Sequence, residues 1–310
     1  MCGIAGFLSR SGTDEPVGRV LLDMLTGLAR RGPDSAGVAL FRPGAADTHI
    51  AWVRLPGHAT VANAEAVLRE RVGALAEIRR LERHGDLARL ELRLLGTVRE
   101  LTAALERPGE DFELVSVGSN LEVLKQVGVP SDLQHSFDLT SFRGSHGIGH
   151  TRLSTESRVD LSHSQPFWAH GVADIATVHN GHITNYHRLR RVYEQRGVRF
   201  FSENDSEIVG VYLADQLDRG LTLEQALEAS LDDLDGAFTY LVATPDAIGY
   251  ARDPFALKPL VTVETAGYVA IANEEIAIRH ALGTDGVAHE PTGHVFRLWR
   301  RGPAAVDVAA

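Results

Sequence analysis

Short apolar runs of strand length recur along most of the chain, and only a few helical stretches separate them. Residues 3–8, 36–41 and 49–53 are early examples, and the last two are spaced to form a hairpin. Residues 16–29 and 206–217 instead carry apolar side chains at helical spacing. Many strands with a few helices between them predict an α+β sandwich, in which helices cover packed sheets.

Residues 56–140 differ in character from the chain on either side of them. Their composition and apolar spacing predict helices at 61–84 and 121–127 that alternate with strand-like runs. We interpret this region as a small α/β insertion without an evident chemical motif. It interrupts one domain predicted over residues 1–300, and residues 301–310 are predicted to form a loose tail.

The composition limits the class of protein. The net charge of −10 argues against binding to nucleic acid or to an anionic membrane surface. A single cysteine among 310 residues can form neither an internal disulfide nor a zinc site by itself, which favours a reducing compartment. No signal peptide and no apolar stretch of about 20 residues is visible. We therefore expect a soluble, cytoplasmic protein without a bound metal.

That single cysteine is Cys2, and its position permits a specific chemistry. If Met1 is removed, the thiol of Cys2 and a free α-amino group lie on the same residue. An α-amino group has a pKa of about 7.7–8.0, so it can act as a base at neutral pH. An N-terminal amine that activates its own side chain is a known form of nucleophilic catalysis. The alternative is that Cys2 is only a small buried apolar residue.

Two charged residues are candidates for holding a polar substrate. Arg152 ends a strand in the segment 149–155 and can bind a carboxylate through two hydrogen bonds. Asp205 can bind an ammonium group. Each also has a structural interpretation: Arg152 as a partner in an ion pair, and Asp205 as part of a helix start in which Asn204 and Glu207 form a capping box.

The segment 179–185 runs from a strand into a sharp turn. The side-chain amide of Asn180 and the backbone N–H of Gly181 can form an oxyanion hole, although an Asn-Gly pair usually marks a simple turn. His179 and His182 are spaced like a pair of metal ligands, but no carboxylate or cysteine joins them at matching spacing. Together with the nucleophile and the two charged anchors, this set suits a free amino acid with a reactive side-chain carbonyl, as in glutamine.

Several motifs, in this order, resemble those of class II glutamine amidotransferases, which are N-terminal-nucleophile enzymes. The resemblance covers nearly the whole chain except residues 56–140. The motifs are MCGIAG at 1–6, RGPDSAG at 31–37, GHTRLST at 149–155, QPF at 165–167, HNG at 179–181, NDSE at 204–207, RDPFALKPL at 252–260 and ANEE at 272–275.

The resemblance implies a fold and a role for each site residue. The fold is a four-layer αββα sandwich. Arg152 would bind the α-carboxylate of glutamine, Asp205 its α-ammonium group, and Arg31 would orient the N-terminal region. The implied catalytic residues are Cys2, Asn180, Gly181 and Arg31, and the implied substrate-binding residues are Arg152, Thr155, His179 and Asp205.

The motifs at 147–152 and 203–205 most resemble the separate glutaminase subunit of glutamate-synthase-like and N-methylglutamate synthase complexes. That resemblance implies no cofactor in this chain, with flavin and iron–sulfur clusters on partner subunits, and it allows a homo-oligomer. Two alternatives stay open. One is an N-terminal-nucleophile hydrolase that acts on another amide, and the other is a non-catalytic regulatory subunit of the same fold. An independent transferase is not expected, because no synthase domain follows.

Overall fold

The structure is a computed structural model that describes residues 2–45, 47–55, 61–106, 112–154 and 158–302. The predicted tail therefore lies outside the described residues from position 303 onward. No helix in the described ranges is long and apolar enough to cross a membrane.

The described strands and helices follow one another in a mixed order. The strands are β1 Gly3–Ser9, β2 Ser35–Phe41, β3 His49–Arg54, β4 Ala76–His84, β5 Leu87–Leu94, β6 Glu113–Gly118, β7 Leu121–Val127, β8 His146–Arg152, β9 Phe167–Trp168, β10 Ala176–Ile183, β11 Gly236–Thr244, β12 Ala247–Arg252, β13 Val261–Glu264, β14 Tyr268–Ala272, β15 Ala288–His289 and β16 Val295–Arg300. The helices are α1 Val17–Gly27, α2 Val61–Val72, α3 Val98–Leu105, α4 Pro130–Phe137, α5 Tyr186–Gln195, α6 Glu207–Asp218, α7 Leu223–Asp233 and α8 Glu275–Leu282, with 3-10 turns at Ala29–Arg31 and Leu139–Ser141.

Two antiparallel sheets form the centre of the molecule. The first has seven strands in the order β15-β13-β14-β1-β8-β2-β7, and the second has five in the order β16-β12-β11-β10-β9. Their inner faces meet where Gly6 of β1 lies against Ile248 of β12 and Leu241 of β11. This arrangement places β1, which begins directly after Cys2, in the interior of the first sheet.

Helices cover the outer face of each sheet. Leu25 of α1 packs on Gly149 of β8, and α8 lies beside α1. On the other side, Leu227 of α7 packs on Gly249 of β12, and α6 covers β10. The order helix, sheet, sheet, helix confirms the predicted four-layer αββα sandwich.

A third sheet lies beside this sandwich, with its four strands in the order β4-β5-β3-β6. The predicted hairpin between 36–41 and 49–53 is wrong. A strand has only two hydrogen-bonding edges, and both edges of β2 are taken, one by β8 and the other by β7. Strand β3 pairs instead with β5 and β6 in the third sheet. The predicted long helix at 61–84 is also divided into α2 and β4.

The predicted helix at 121–127 is wrong as well, because this segment is strand β7. It follows β6 after a short turn, but β7 joins the first sheet whereas β6 joins the third. A residue distant in the sequence stabilises the turn. The carboxylate of Asp174 accepts hydrogen bonds from the backbone N–H groups of Ser119, Asn120 and Leu121 at 3.1, 2.8 and 2.8 Å. Helical spacing within the segment cannot reveal a partner so far away in the sequence.

This turn generates a stability prediction. Asp174→Ala leaves three backbone donors without their acceptor, so we expect the free energy of unfolding to fall by about 1–3 kcal/mol in urea denaturation. Asp174→Asn keeps one acceptor oxygen, and Asn tolerates the positive φ of 61° at this position, so its loss should be smaller. Equal losses in the two variants would contradict this account of the turn.

Candidate active site

A cavity of about 390 Å³ opens where the ends of the two central sheets meet. Cys2, Arg152, Asn180 and Asp205 all line it, although they lie in four separate parts of the sequence. Cys2 comes from the first sheet, where it precedes β1, and Arg152 ends β8 beside it. Asn180 belongs to β10 of the second sheet. The contact between the two sheets therefore determines the relative positions of these groups.

Cys2 is half-buried, and its backbone is held from both sides. Its carbonyl oxygen accepts one hydrogen bond from Nε of Arg31 at 3.0 Å and another from Nδ2 of Asn180 at 3.2 Å. The thiol lies 3.7 Å from the carbonyl oxygen of Leu153. Met1 lies outside the described residues. The sulfur is thus placed in the cavity by a backbone that cannot swing freely.

Arg31 reaches Cys2 from the 3-10 turn that follows α1. Its guanidinium group also forms an ion pair with the carboxylate of Glu274, which directly precedes α8. This second contact fixes the orientation of the planar group, so Nε points at the Cys2 carbonyl. Arg31 does not line the cavity and acts on it only through Cys2.

Arg152 presents a buried guanidinium group to the cavity. It donates to the carbonyl oxygen of Arg158 at 2.9 Å and to Oγ of Ser154 at 3.4 Å. Burial lowers the pKa of Arg152, although an arginine stays charged at physiological pH even so. A buried positive charge at the wall of a cavity is a strong attractor for a carboxylate. Thr155, three residues further on, lies outside the described residues.

The Asn180-Gly181 pair is part of strand β10, and both residues are in register with β11. Gly181 has a φ of 140°, and a Cβ at this position would lie 2.2 Å from the carbonyl oxygen of Ala237, so only glycine fits. The amide of Asn180 carries two protons, and the bond to Cys2 uses one of them. The other can still be donated to a group bound beside the sulfur.

His179 is buried at the wall of the cavity, and its ring lies against Ser206. Nδ1 lies 2.8 Å from Oγ of Ser206, and burial lowers the pKa of the imidazole, which keeps the ring neutral at physiological pH. The backbone of His179 is bound by the side chain of Gln165, which accepts from its N–H at 2.6 Å and donates to its carbonyl oxygen at 3.1 Å. The ring therefore supports the turn that carries Asp205.

Asp205 holds its carboxylate at the cavity wall through one backbone bond. Its Oδ2 accepts from the N–H of Ile183 at 2.7 Å, and Nδ1 of His182 lies 3.4 Å from the same oxygen. The predicted capping box is wrong. Helix α6 starts at Glu207, whose carboxylate turns back to accept from the N–H groups of Phe201 and Ser202, both at 2.9 Å. Asn204 accepts instead from the N–H of Ser206.

His179, His182 and Asp205 come close together, which raises the question of a metal site. Nδ1 of His179 lies 4.0 Å from the Asp205 carboxylate and is already hydrogen-bonded to Oγ of Ser206 at 2.8 Å. Within the described part of the chain, no group of three or more His, Cys, Asp or Glu side chains is arranged to hold a metal ion.

Sequence reasoning missed two residues of this site. Gln165 lines the cavity and clamps His179, and Lys258 adds a second positive charge to the wall. Both belong to motifs that resemble those of the family, QPF and RDPFALKPL, but nothing in the local pattern indicates what their side chains contact. The motifs mark Gln165 and Lys258 as candidate residues, but they do not assign a role to either side chain.

Comparisons with known proteins identify the family of the chain. A family model described as a glutamine amidotransferase domain matches residues 150–280. The glutamine amidotransferase-like protein GlxB of Rhizobium meliloti is 38% identical and covers 99% of this chain and 97% of its own length. A putative glutamine amidotransferase of Methanothermobacter thermautotrophicus is 35% identical and covers 95% of this chain and 98% of its own.

A solved structure supports the fold. Glutamine phosphoribosylpyrophosphate amidotransferase from B. subtilis superimposes with a TM-score of 0.61 at 18% identity. The match covers 96% of this chain but only 49% of that larger protein. Taken with the two relatives that match over almost their full length, these findings show that the chain belongs to the class II glutamine amidotransferase family.

Proposed function

We propose that the protein hydrolyses L-glutamine to L-glutamate and ammonia, with the Cys2 thiol as nucleophile. The observation that carries the proposal is the convergence of Cys2, Asn180, Arg152 and Asp205 on one cavity. Its volume of about 390 Å³ is large enough for a free amino acid. A sulfur, an amide donor, a cation and an anion are the groups that bound glutamine requires.

The first half of the reaction forms a thioester. Once Met1 is removed, the α-amine of Cys2 takes the thiol proton, and the sulfur attacks the side-chain carbonyl carbon of glutamine. The oxyanion accepts hydrogen bonds from the free amide proton of Asn180 and from the N–H of Gly181. The α-ammonium group then returns its proton to the amide nitrogen, the carbon–nitrogen bond breaks, and ammonia leaves.

The second half regenerates the enzyme. Water gives a proton to the α-amine and attacks the thioester carbonyl, which passes through an oxyanion bound by the same donors. The carbon–sulfur bond breaks, the thiolate recovers its proton, and glutamate leaves. Arg31 holds the Cys2 backbone in place during both halves of the reaction. This matters because the reaction rate falls steeply when a nucleophile is displaced by about 1 Å.

Substrate selection follows from the two charged groups at the wall. Arg152 binds the α-carboxylate of glutamine, and Asp205 binds its α-ammonium group. An amide hydrolase for apolar acyl substrates would have no use for this pair, so the pair favours glutamine over that alternative. A non-catalytic regulatory subunit would not need the sulfur, the amide donor and the two anchors to meet.

We propose further that the ammonia is passed to a separate synthase subunit of glutamate-synthase-like type. This assignment is supported only by the resemblance of the motifs at 147–152 and 203–205. On the same basis, flavin and iron–sulfur clusters belong to partner chains and not to this one. Co-purification of a flavin-containing chain with this protein would test the assignment, and a glutaminase that purifies without such a partner would contradict it.

The nucleophile can be tested by substitution. Cys2→Ala should lower glutamate release from glutamine by at least about 10⁴-fold, because removing a nucleophile disables the whole catalytic unit. An electrophilic glutamine analogue should add to Cys2 in the native protein, as seen by mass spectrometry of the N-terminal peptide. A protein that keeps one extra residue before Cys2 should also be inactive, since its amine is displaced. Full activity of Cys2→Ala would end the proposal.

The two anchors can be separated by substrate analogues. Arg152→Gln should lower kcat/KM for glutamine by about 10–100-fold, mainly through KM, because it removes hydrogen bonds to a charged group. It should also lose the preference for glutamine over its α-carboxamide while keeping the preference over N-acetylglutamine. Asp205→Asn should lose the preference for glutamine over N-acetylglutamine and keep the preference over the α-carboxamide.

Arg19→Gln serves as the control for these two variants, because Arg19 is exposed and, among the described residues, its ion-pair partner is Asp23 one helical turn away. Its kcat/KM should equal that of the native protein. If Arg152→Gln and Asp205→Asn lose the same discrimination, the assignment of one anchor to each charged group of the substrate is wrong.

A further inference from the structure

Lys125 is a buried charge that the proposed reaction does not use. Its side chain is 3% exposed on strand β7, where Nζ donates to the carbonyl oxygen of Ser164 at 3.1 Å and lies 5.5 Å from the ring centre of Phe167. Within the described ranges, no carboxylate lies within 4.0 Å of this ammonium group. Burying a charge in this way is costly, so an apolar residue would serve packing better.

Glu113 of strand β6 provides the compensating charge from a distance. It is 5% exposed, and its carboxylate accepts from Oγ of Ser162 at 2.6 Å and from Nε of Arg54 at 2.7 Å. Burial lowers the pKa of Lys125, and the charges of Glu113 and Glu207 oppose that change. Burial raises the pKa of Glu113, but Lys125 and Arg54 outweigh it and lower that pKa overall.

The two residues hold one segment of chain, residues 162–166, at successive points. Glu113 binds Ser162, and Lys125 binds the carbonyl of Ser164. Gly37, the partner of Lys125 on the neighbouring strand β2, leaves the room that this segment needs. A Cβ on Gly37 would lie 2.3 Å from the carbonyl oxygen of Gln165.

The segment delivers the side chain of Gln165 to the active site. Its amide binds the N–H and carbonyl of His179 at 2.6 and 3.1 Å and Oγ of Ser206 at 3.0 Å. His179 directly precedes Asn180, and Ser206 directly follows Asp205. Gln165 thus touches the neighbours of the oxyanion donor and of the ammonium anchor at the same time.

We propose that Lys125 and Glu113, both supplied by residues 56–140, are positioning residues of the glutamine site. They hold the 162–166 segment so that Gln165 aligns Asn180 and Asp205. The inference rests on the proposed glutaminase function, and it gives the inserted region a role in that reaction. Arg152 lies on β8, and its bonds to Arg158 and Ser154 fall outside residues 162–166, so its hold on the α-carboxylate should depend on Lys125 less than the hold of Asp205 on the ammonium group does.

The test compares Lys125→Met and Glu113→Gln with a matched control. Glu122→Gln is the control. Like Glu113, Glu122 is a carboxylate that is 5% exposed, and like Lys125 it lies on β7. Its described partners are Arg42, Arg89 and Trp52. We expect kcat/KM for glutamine to fall by about 10-fold or more in both test variants, with changes in both kcat and KM. The control should keep the native kcat/KM.

A substrate readout separates positioning from general loss of structure. Lys125→Met should lose much of the preference for glutamine over N-acetylglutamine, which depends on Asp205, and keep the preference over the α-carboxamide, which depends on Arg152. Ser162→Ala should change the same preference in the same direction by about threefold. It removes one hydrogen bond from the segment without leaving a buried charge, so it stays informative if Lys125→Met fails to fold.

Two results would overturn the inference. One is native kinetics and native discrimination in folded Glu113→Gln and Ser162→Ala. The other is an equal loss of kcat/KM in Glu122→Gln, which would indicate general destabilisation. Failure of the native protein to hydrolyse glutamine would instead reject the proposed function, and that result is visible before any variant is compared.

Discussion

The carbonyl oxygen of Cys2 is the point at which the two central sheets are joined at the proposed active site. Arg31 reaches it from the side of the first sheet, and Asn180 reaches it from the second. A bond of this kind fixes the sulfur and the amide donor relative to each other in a single contact. The same contact links sheet packing to chemistry, because any shift of one sheet over the other would move the donor away from the sulfur.

The residues around this contact are costly to keep buried. Arg152, His179 and Gln165 occupy positions where apolar side chains would stabilise the sandwich more simply. Each is held by backbone or hydroxyl groups, such as the carbonyl of Arg158 or Oγ of Ser206, which offsets the desolvation. The site therefore depends on a network whose members support one another, and few of its members can be exchanged independently.

The sequence predicted an α+β sandwich from its strand spacing, and the resemblance carried by its motifs implied the four layers. It also placed the candidate site residues at or near the ends of strands. It did not predict strand β7 or the pairing of β2. Those depend on Asp174 and on competition for strand edges, which involve residues far apart in the chain. For the same reason, the residues at 165 and 258 were recognised as parts of motifs, but their contacts could be read only from the structure.

The pairing of β2 with β7 bears on the size of the unit that can fold around the proposed site. All seven residues of β2 pair with β7 in an antiparallel register that runs from Ser35 opposite Val127 to Phe41 opposite Leu121. Residues 56–140 therefore include an outer strand of the main sheet as well as three of the four strands of the third sheet. A shortened chain without them would leave a long, buried strand with an open edge, which invites pairing with other molecules. The smallest unit of this protein that can fold is accordingly larger than its catalytic motifs suggest.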